Sequence, residues 1–184
     1  MLFTVTEDIP NIDIVIYIDC WDGDFLNQPN SQGTESLYER ITNFVFKLRP
    51  VPKFHVASLN GFNYPFSSLI SKVLFNNDNH AYLDRVKCLE QTLTGRNLHN
   101  CNVLVTGATW QQCLHYRELG FINLLKNTNL NIYTHRDVIK LRWEEKTNPN
   151  GDAYIEDTMF GNDHLIWHKL PGGYYKLTRT GNDK

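Results

Sequence analysis

Cys113 stands six residues after Gly107 in the stretch Asn102-Val-Leu-Val-Thr-Gly-Ala-Thr-Trp-Gln-Gln-Cys113. The order of residue types predicts a short buried strand, a turn at Gly107 and a helix that opens near the cysteine. The first N–H groups of a helix lack intrahelical partners, and the helix dipole favours negative charge there. A thiol at that place carries more thiolate than a free cysteine and becomes a nucleophile toward electrophilic carbon. Asp19 closes an earlier apolar run, Asp13-Ile-Val-Ile-Tyr-Ile-Asp19. In a parallel sheet both strand ends would face one crevice, where a carboxylate serves as general base toward a thiol or a water.

The elements that must position these two groups follow in order. The run at 13–19 suits a strand buried on both faces. Residues 34–48 predict a helix, with Leu37, Ile41, Phe44, Val45 and Leu48 at helical spacing, stopped by Arg49-Pro-Val-Pro52. Phe54–Leu59 predicts a second strand, and 67–75 fits a short helix or a strand. A helix is predicted over 80–94, a strand over 102–106, a helix over 111–126 and a strand over 130–134. That alternation argues for an α/β sandwich on a mostly parallel sheet, in one domain over 1–184. Beyond Asp137 the pattern changes. Residues 138–146 suit a helix, and 153–178 predicts β hairpins around Gly161-Asn162 and Pro171-Gly-Gly173.

The 184 residues suffice for a real core, and 41% apolar with 21% charged residues is an ordinary globular composition. A net charge of −2 and a pI near 6.4 give no footprint for nucleic acid or anionic membrane. No apolar run has the roughly 18 residues of a membrane span, and the first residues lack a basic signal-peptide region. Cys20, Cys88, Cys101 and Cys113 form no Cys-x-x-Cys pair. A reduced, cytoplasmic setting is the simpler expectation.

Other features carry less. Val-Thr-Gly-Ala-Thr begins like a dinucleotide fingerprint, but Trp110 and Gln112 stand where that fingerprint needs bare backbone. Asp22-Gly-Asp24 lacks the companion acids of a calcium loop and reads as a turn. His164 and His168 share a strand face without a third ligand, so no metal is expected. His115 falls close enough to Cys113 to touch a site. Trp21, Tyr64 and Trp110 suit either a pocket above the strand ends or the core. Cys113 itself also suits plain burial, the commonest fate of a free cysteine.

Taken together, Ile16-Tyr-Ile-Asp19-Cys-Trp-Asp-Gly-Asp-Phe25 and Val105-Thr-Gly-Ala-Thr-Trp-Gln-Gln-Cys113 resemble the isochorismatase-like cysteine hydrolases, the group that includes nicotinamidases. Arg136-Asp137-Val138 stands near the family's next strand-end acid, and the resemblance spans roughly 10–140. It implies a Rossmann-like three-layer α/β/α sandwich, here with a C-terminal β-hairpin extension. It implies an Asp/Lys/Cys triad, met by Asp19 and Cys113, with Lys72 as lysine if the helix over 80–94 is two turns longer than usual. It also implies a cis peptide at Ala108–Thr109 that aims N–H groups as an oxyanion hole. The family's nicotinamidase metal ligands have no counterpart after Ser58, and no cofactor is implied. The expected activity is hydrolysis of a small amide. The alternative is a catalytically inactive relative that binds a ligand or partner; a nucleotide-binding protein is a third. The family often forms dimers and larger assemblies, and the aromatics of 153–178 are available for such an interface.

Overall fold

Five consecutive apolar residues, Ile14–Ile18, form β1, and each is fully buried. A strand without a polar side must be covered on both faces, and each such side chain contributes about 1.5–3 kcal/mol. The side chains alternate accordingly. Ile14, Ile16 and Ile18 enter one apolar cluster, while Val15 and Tyr17 enter another. The computed structural model describes residues 9–18, 37–48, 51, 53–57, 72–75, 101–108, 110–117, 119–141 and 155–179. Asp19, Trp21, Tyr64, Thr109 and the helix expected over 80–94 lie outside the described residues.

The chain continues through α1 (Leu37–Phe46), β2 (Lys53–Ala57), β3 (Lys72–Phe75) and β4 (Asn102–Ala108). Two short helices follow, α2 (Cys113–Tyr116) and α3 (Phe121–Asn127), then β5 (Asn131–His135) and β6 (Ile139–Lys140). The last elements are α4 (Asp157–Gly161), β7 (Trp167–Lys169) and β8 (Tyr174–Leu177). The strands make one sheet in the order β3-β2-β1-β4-β5-β8-β7, with β6 also on β4. The six strands from β1 to β6 pair in parallel; β8 and β7 add on antiparallel. The expected mostly parallel α/β sheet and the hairpin around Pro171-Gly172-Gly173 are therefore present.

β1 and β4 are the central pair, with Ile14 opposite Val103 and Ile18 opposite Gly107. Their starts are tied by the Asp13 carboxylate, which accepts the Asn102 N–H at 2.8 Å. On one face, Ile41 and Val45 of α1, one helical turn apart, cover Val15, Tyr17 and Leu104. On the other, Leu114 of α2, Phe121 and Leu124 of α3 and Phe160 of α4 cover Ile16, Val105 and Ile132. β4 changes partner along its length. Its first residues pair with β5, and Gly107 and Ala108 pair with Ile139 and Lys140 of β6. No described helix is long and apolar enough to cross a membrane.

Three expectations need correction. The helix expected over 111–126 is broken between α2 and α3. A Cβ at Gly120 would stand 2.7 Å from the Leu114 carbonyl oxygen, so the chain folds back there at close approach. The helix expected over 138–146 does not form in its described part: Val138 ends the 3-10 turn Arg136–Val138, and β-branched Ile139 enters β6. Residues 157–161 form α4 instead of a strand. That helix lays Phe160 flat on Tyr175, with ring centroids 3.6 Å apart, and sets the Asp157 carboxylate against the Tyr175 hydroxyl and Lys169, each at 2.8 Å.

The hairpin is fastened to the parallel sheet by His135, the last residue of β5. Its Nδ1 accepts the Asp137 N–H at 3.1 Å, so Nε2 carries the proton and donates to the Gly172 carbonyl at 2.6 Å. The ring lies between Phe44 and Tyr174, centroids 4.6 and 4.8 Å away. Gly172 and Gly173 both have positive φ, 75° and 86°, but only at Gly173 would a Cβ strike the imidazole, 2.8 Å from Nε2. Gly172→Ala is expected to cost about 1 kcal/mol, the ordinary penalty of left-handed backbone. Gly173→Ala is expected to cost at least about 2 kcal/mol more through the added overlap. Urea denaturation of both variants measures the difference.

Candidate active site

β4 ends in a turn that the backbone makes at some cost. Gly107 takes a φ of 117°, open to glycine, and Gln111 takes 57°, a left-handed value that costs a side-chain-bearing residue about 1–2 kcal/mol. Two contacts hold the turn. The Trp110 N–H donates to the Lys140 carbonyl at 3.0 Å, and the Gln111 N–H donates to Nδ1 of His115 at 3.0 Å. α2 begins two residues on, with Cys113 as its first residue.

Cys113 is half-buried, and the Arg117 guanidinium donates toward its sulfur at 3.8 Å. Gln111, Gln112, Tyr116 and Arg117 join Cys113 around an open depression of about 320 Å³. A cation beside sulfur favours the thiolate, and a half-buried setting lets a small molecule reach it.

Trp110 does not line that depression. It is 2% exposed, at the centre of an aromatic cluster under the turn. Its ring meets His115 edge-on at 4.7 Å, with Phe160 at 5.0 Å and Trp167 at 5.8 Å. A side chain of this size fills the core below the strand ends more readily than it stands above them.

His115 is close to Cys113 in the chain but is occupied by structural bonds. Because Nδ1 accepts a backbone N–H, Nε2 holds the proton, and it donates to the Asp163 carboxylate at 2.9 Å. The Trp167 indole N–H donates to the same carboxylate at 2.8 Å, and the His164 N–H at 2.9 Å. Burial raises the Asp163 pKa, but the bonds from His115 and Trp167 and the nearby imidazoles outweigh it and hold the carboxyl below its usual range. His115, with no lone pair left, has no base to offer Cys113.

His115, Asp163 and His164 bring ligand atoms within 4.8 Å of one another. The tautomer argues against a metal there. Nε2 of His115 faces the group but carries the proton, because its Nδ1 is already an acceptor. A metal would require that proton to leave and the Gln111 contact to break.

The sequence candidates thus divide. Cys113 sits beyond the C-terminal end of β4, and Ala108 closes that strand in register with Lys140. Asp19, Trp21, Tyr64 and Thr109 lie outside the described residues. Lys72 opens β3, and its backbone row runs through Phe54 and Ile16 to Val105. That is three strand steps from β4, about 14 Å, and below the strand ends rather than at them. Asp163, Trp167, Arg117 and Lys140 were not singled out as site residues from the sequence. Only Lys140 left a trace there, as a lone lysine in the apolar run Val138-Ile-Lys-Leu141. Compared with protein-family models, curated proteins and solved structures, the chain gives no match.

Asp163→Ala would leave the buried His115 Nε2–H and the part-buried Trp167 indole N–H without their acceptor. It is expected to cost about 3 kcal/mol or more and to flatten the near-ultraviolet signal of Trp110 and Trp167. Acid titration separates the two clamps by pH window, since both contributions have the same sign and are lost on acidification. Burial sets the His135 pKa below 6.5, so its contribution is complete above pH 6.5 and is lost as pH falls through the depressed value. The Asp163 contribution is complete above 3.8 and is lost only as pH falls through its own lowered value. Urea midpoints are expected to fall between about pH 7 and pH 5 less in His135→Gln than in the parent. Below about pH 4 the fall is expected to be shallower in Asp163→Asn.

Proposed function

We propose that the chain is a divergent isochorismatase-like cysteine hydrolase, a single Rossmann-like three-layer α/β/α domain that cleaves the C–N bond of a small amide. The observation that carries this reading is the strand order. From β1 the chain runs outward through β2 and β3, then returns to β4 on the other side of β1 and runs outward through β5. The switch point of the sheet therefore lies between β1 and β4, where open α/β sheets bind ligands. Asp19 follows β1 by one residue, and Cys113 opens the helix after β4. The apolar clusters on both sheet faces, each with its own helices, support the three-layer arrangement.

In the proposed reaction the Asp19 carboxylate takes the Cys113 thiol proton, and the sulfur adds to the amide carbon. Backbone N–H groups of the turn at Ala108 and Thr109 hold the developing oxyanion. The C–N bond breaks as the leaving amine takes the proton from Asp19, leaving a thioester. Asp19 then takes a proton from water, the hydroxide adds to the thioester carbon, and the carboxylic acid departs as the sulfur is released. Arg117 beside the sulfur favours its anionic form. Cys113→Ala is expected to lower turnover of a panel of small primary and secondary amides by about a thousandfold or more. Turnover that survives the substitution refutes the assignment.

A second reading has its own observations. The Lys72 backbone runs along the sheet edge, and Trp110 is packed into the core. Both favour a relative that has kept the fold and binds a ligand or a partner without turnover. In that case Cys113→Ala leaves ligand-induced stabilisation unchanged, and no amide of the panel is cleaved by either protein.

A further inference from the structure

The C-terminal hairpin carries two lysines in different surroundings. Lys169 reaches the Asp157 carboxylate at 2.8 Å. Lys176 stands in one row with His168 of β7 and Tyr133 of β5, so these three side chains share one face of the sheet, and Lys169, next to His168, is turned to the other. On that shared face the half-buried Lys176 ammonium lies 5.8 Å from the centroid of the Tyr133 ring, and no carboxylate among the described residues stands within ion-pair distance of it. Lys176, His168 and Arg179 line a cavity of about 290 Å³, with Asn131 and Thr178 as further polar groups, and no described residue of its wall is acidic. The Arg179 guanidinium is held in place by donating to the carbonyls of Leu125 and Leu130. Three basic side chains thus gather at one cavity in a chain whose net charge is −2. Like charges directly opposite each other weaken a sheet, and an anion set between them reverses the sign of that term.

We propose that this cavity binds the terminal phosphate of a small phosphomonoester, with Lys176, His168 and Arg179 around it. A terminal phosphate presents three acceptor oxygens and nearly two negative charges near neutral pH, which answers three basic side chains. A carboxylate presents two oxygens and one charge. Ligand pockets begin at about 300 Å³, so a cavity of this size takes the phosphate and a few further atoms. The place is separate from Cys113. Asn131 opens β5, whereas Cys113 follows the far end of β4, the parallel neighbour of β5, so the two sites lie at opposite ends of the sheet. The phosphate site therefore does not rest on the hydrolase reading.

The test is calorimetric titration of the full chain with inorganic phosphate near neutral pH at constant ionic strength, with acetate as the comparison anion. Phosphate is expected to saturate one site, acetate to bind about tenfold more weakly or worse, and Lys176→Met to weaken phosphate about tenfold or more. Lys169→Met, which removes the hairpin's other lysine, is expected to leave phosphate affinity unchanged. The site is overturned if phosphate gives no saturable signal, or if the two lysine variants lose affinity equally. Should Lys176→Met fail to fold, the ring signals of His168 in the parent, identified by their loss in His168→Ala, decide by NMR. They are expected to shift with phosphate at the calorimetric midpoint while those of His164 stay in place, and a His168 ring that does not respond overturns the proposal. Glycerol phosphate is expected to bind at least as tightly as inorganic phosphate; binding about tenfold weaker overturns the monoester assignment.

Discussion

The parallel pairing of β1 with β4 is the constraint on which the other elements depend. All five residues of β1 are buried, so the strand is stable only with a neighbour on each edge and a layer on each face. The pairing joins residues about 90 positions apart, as the Thr106 hydroxyl on the Ile16 carbonyl illustrates. Closing a loop of that length costs conformational entropy before any contact is gained, and a run of wholly apolar residues supplies the return. Once it forms, the strand ends that carry the candidate chemistry become neighbours without further adjustment.

Two histidines then perform one task in two places. His115 and His135 each accept a local backbone N–H at Nδ1, which fixes the proton on Nε2, and each points that proton at the C-terminal segment. The local bond makes each ring a rigid part of its turn. The distant bond carries that rigidity to Asp163 in one case and to Gly172 in the other. An imidazole used in this way is a spacer of fixed polarity, not a base.

The strands were legible where a continuous apolar run left no alternative to a sheet core, as at Ile14–Ile18 and Val103–Val105. The helix after β4 was legible in position but not in length. Its break depends on how closely Gly120 approaches the Leu114 carbonyl, which no local pattern expresses. α4 was read as strand because Ile155, Met159 and Phe160 suit either state; stacking on Tyr175, fifteen residues along, decides it. Cys113 was legible because its spacing from Gly107 is local. Asp163 was not, since its partner His115 lies 48 residues away and its own surroundings, Gly161-Asn162-Asp163, resemble any polar turn. Lys72 attracted notice by its distance along the chain, whereas the sheet orders residues by register, and there Lys140 stands nearer the strand ends.

The hairpin also decides where the sheet stops. A parallel strand left bare beyond β4 would offer a row of open N–H and carbonyl groups to any other chain. β8 covers β5, and β7, the new edge, is three residues long, with His168 and Lys169 exposed. Lys169 is drawn to Asp157 of α4, which places charge along that short border. The two antiparallel strands thus turn an extendable lattice edge into a brief and charged one, a poor template for edge-to-edge aggregation.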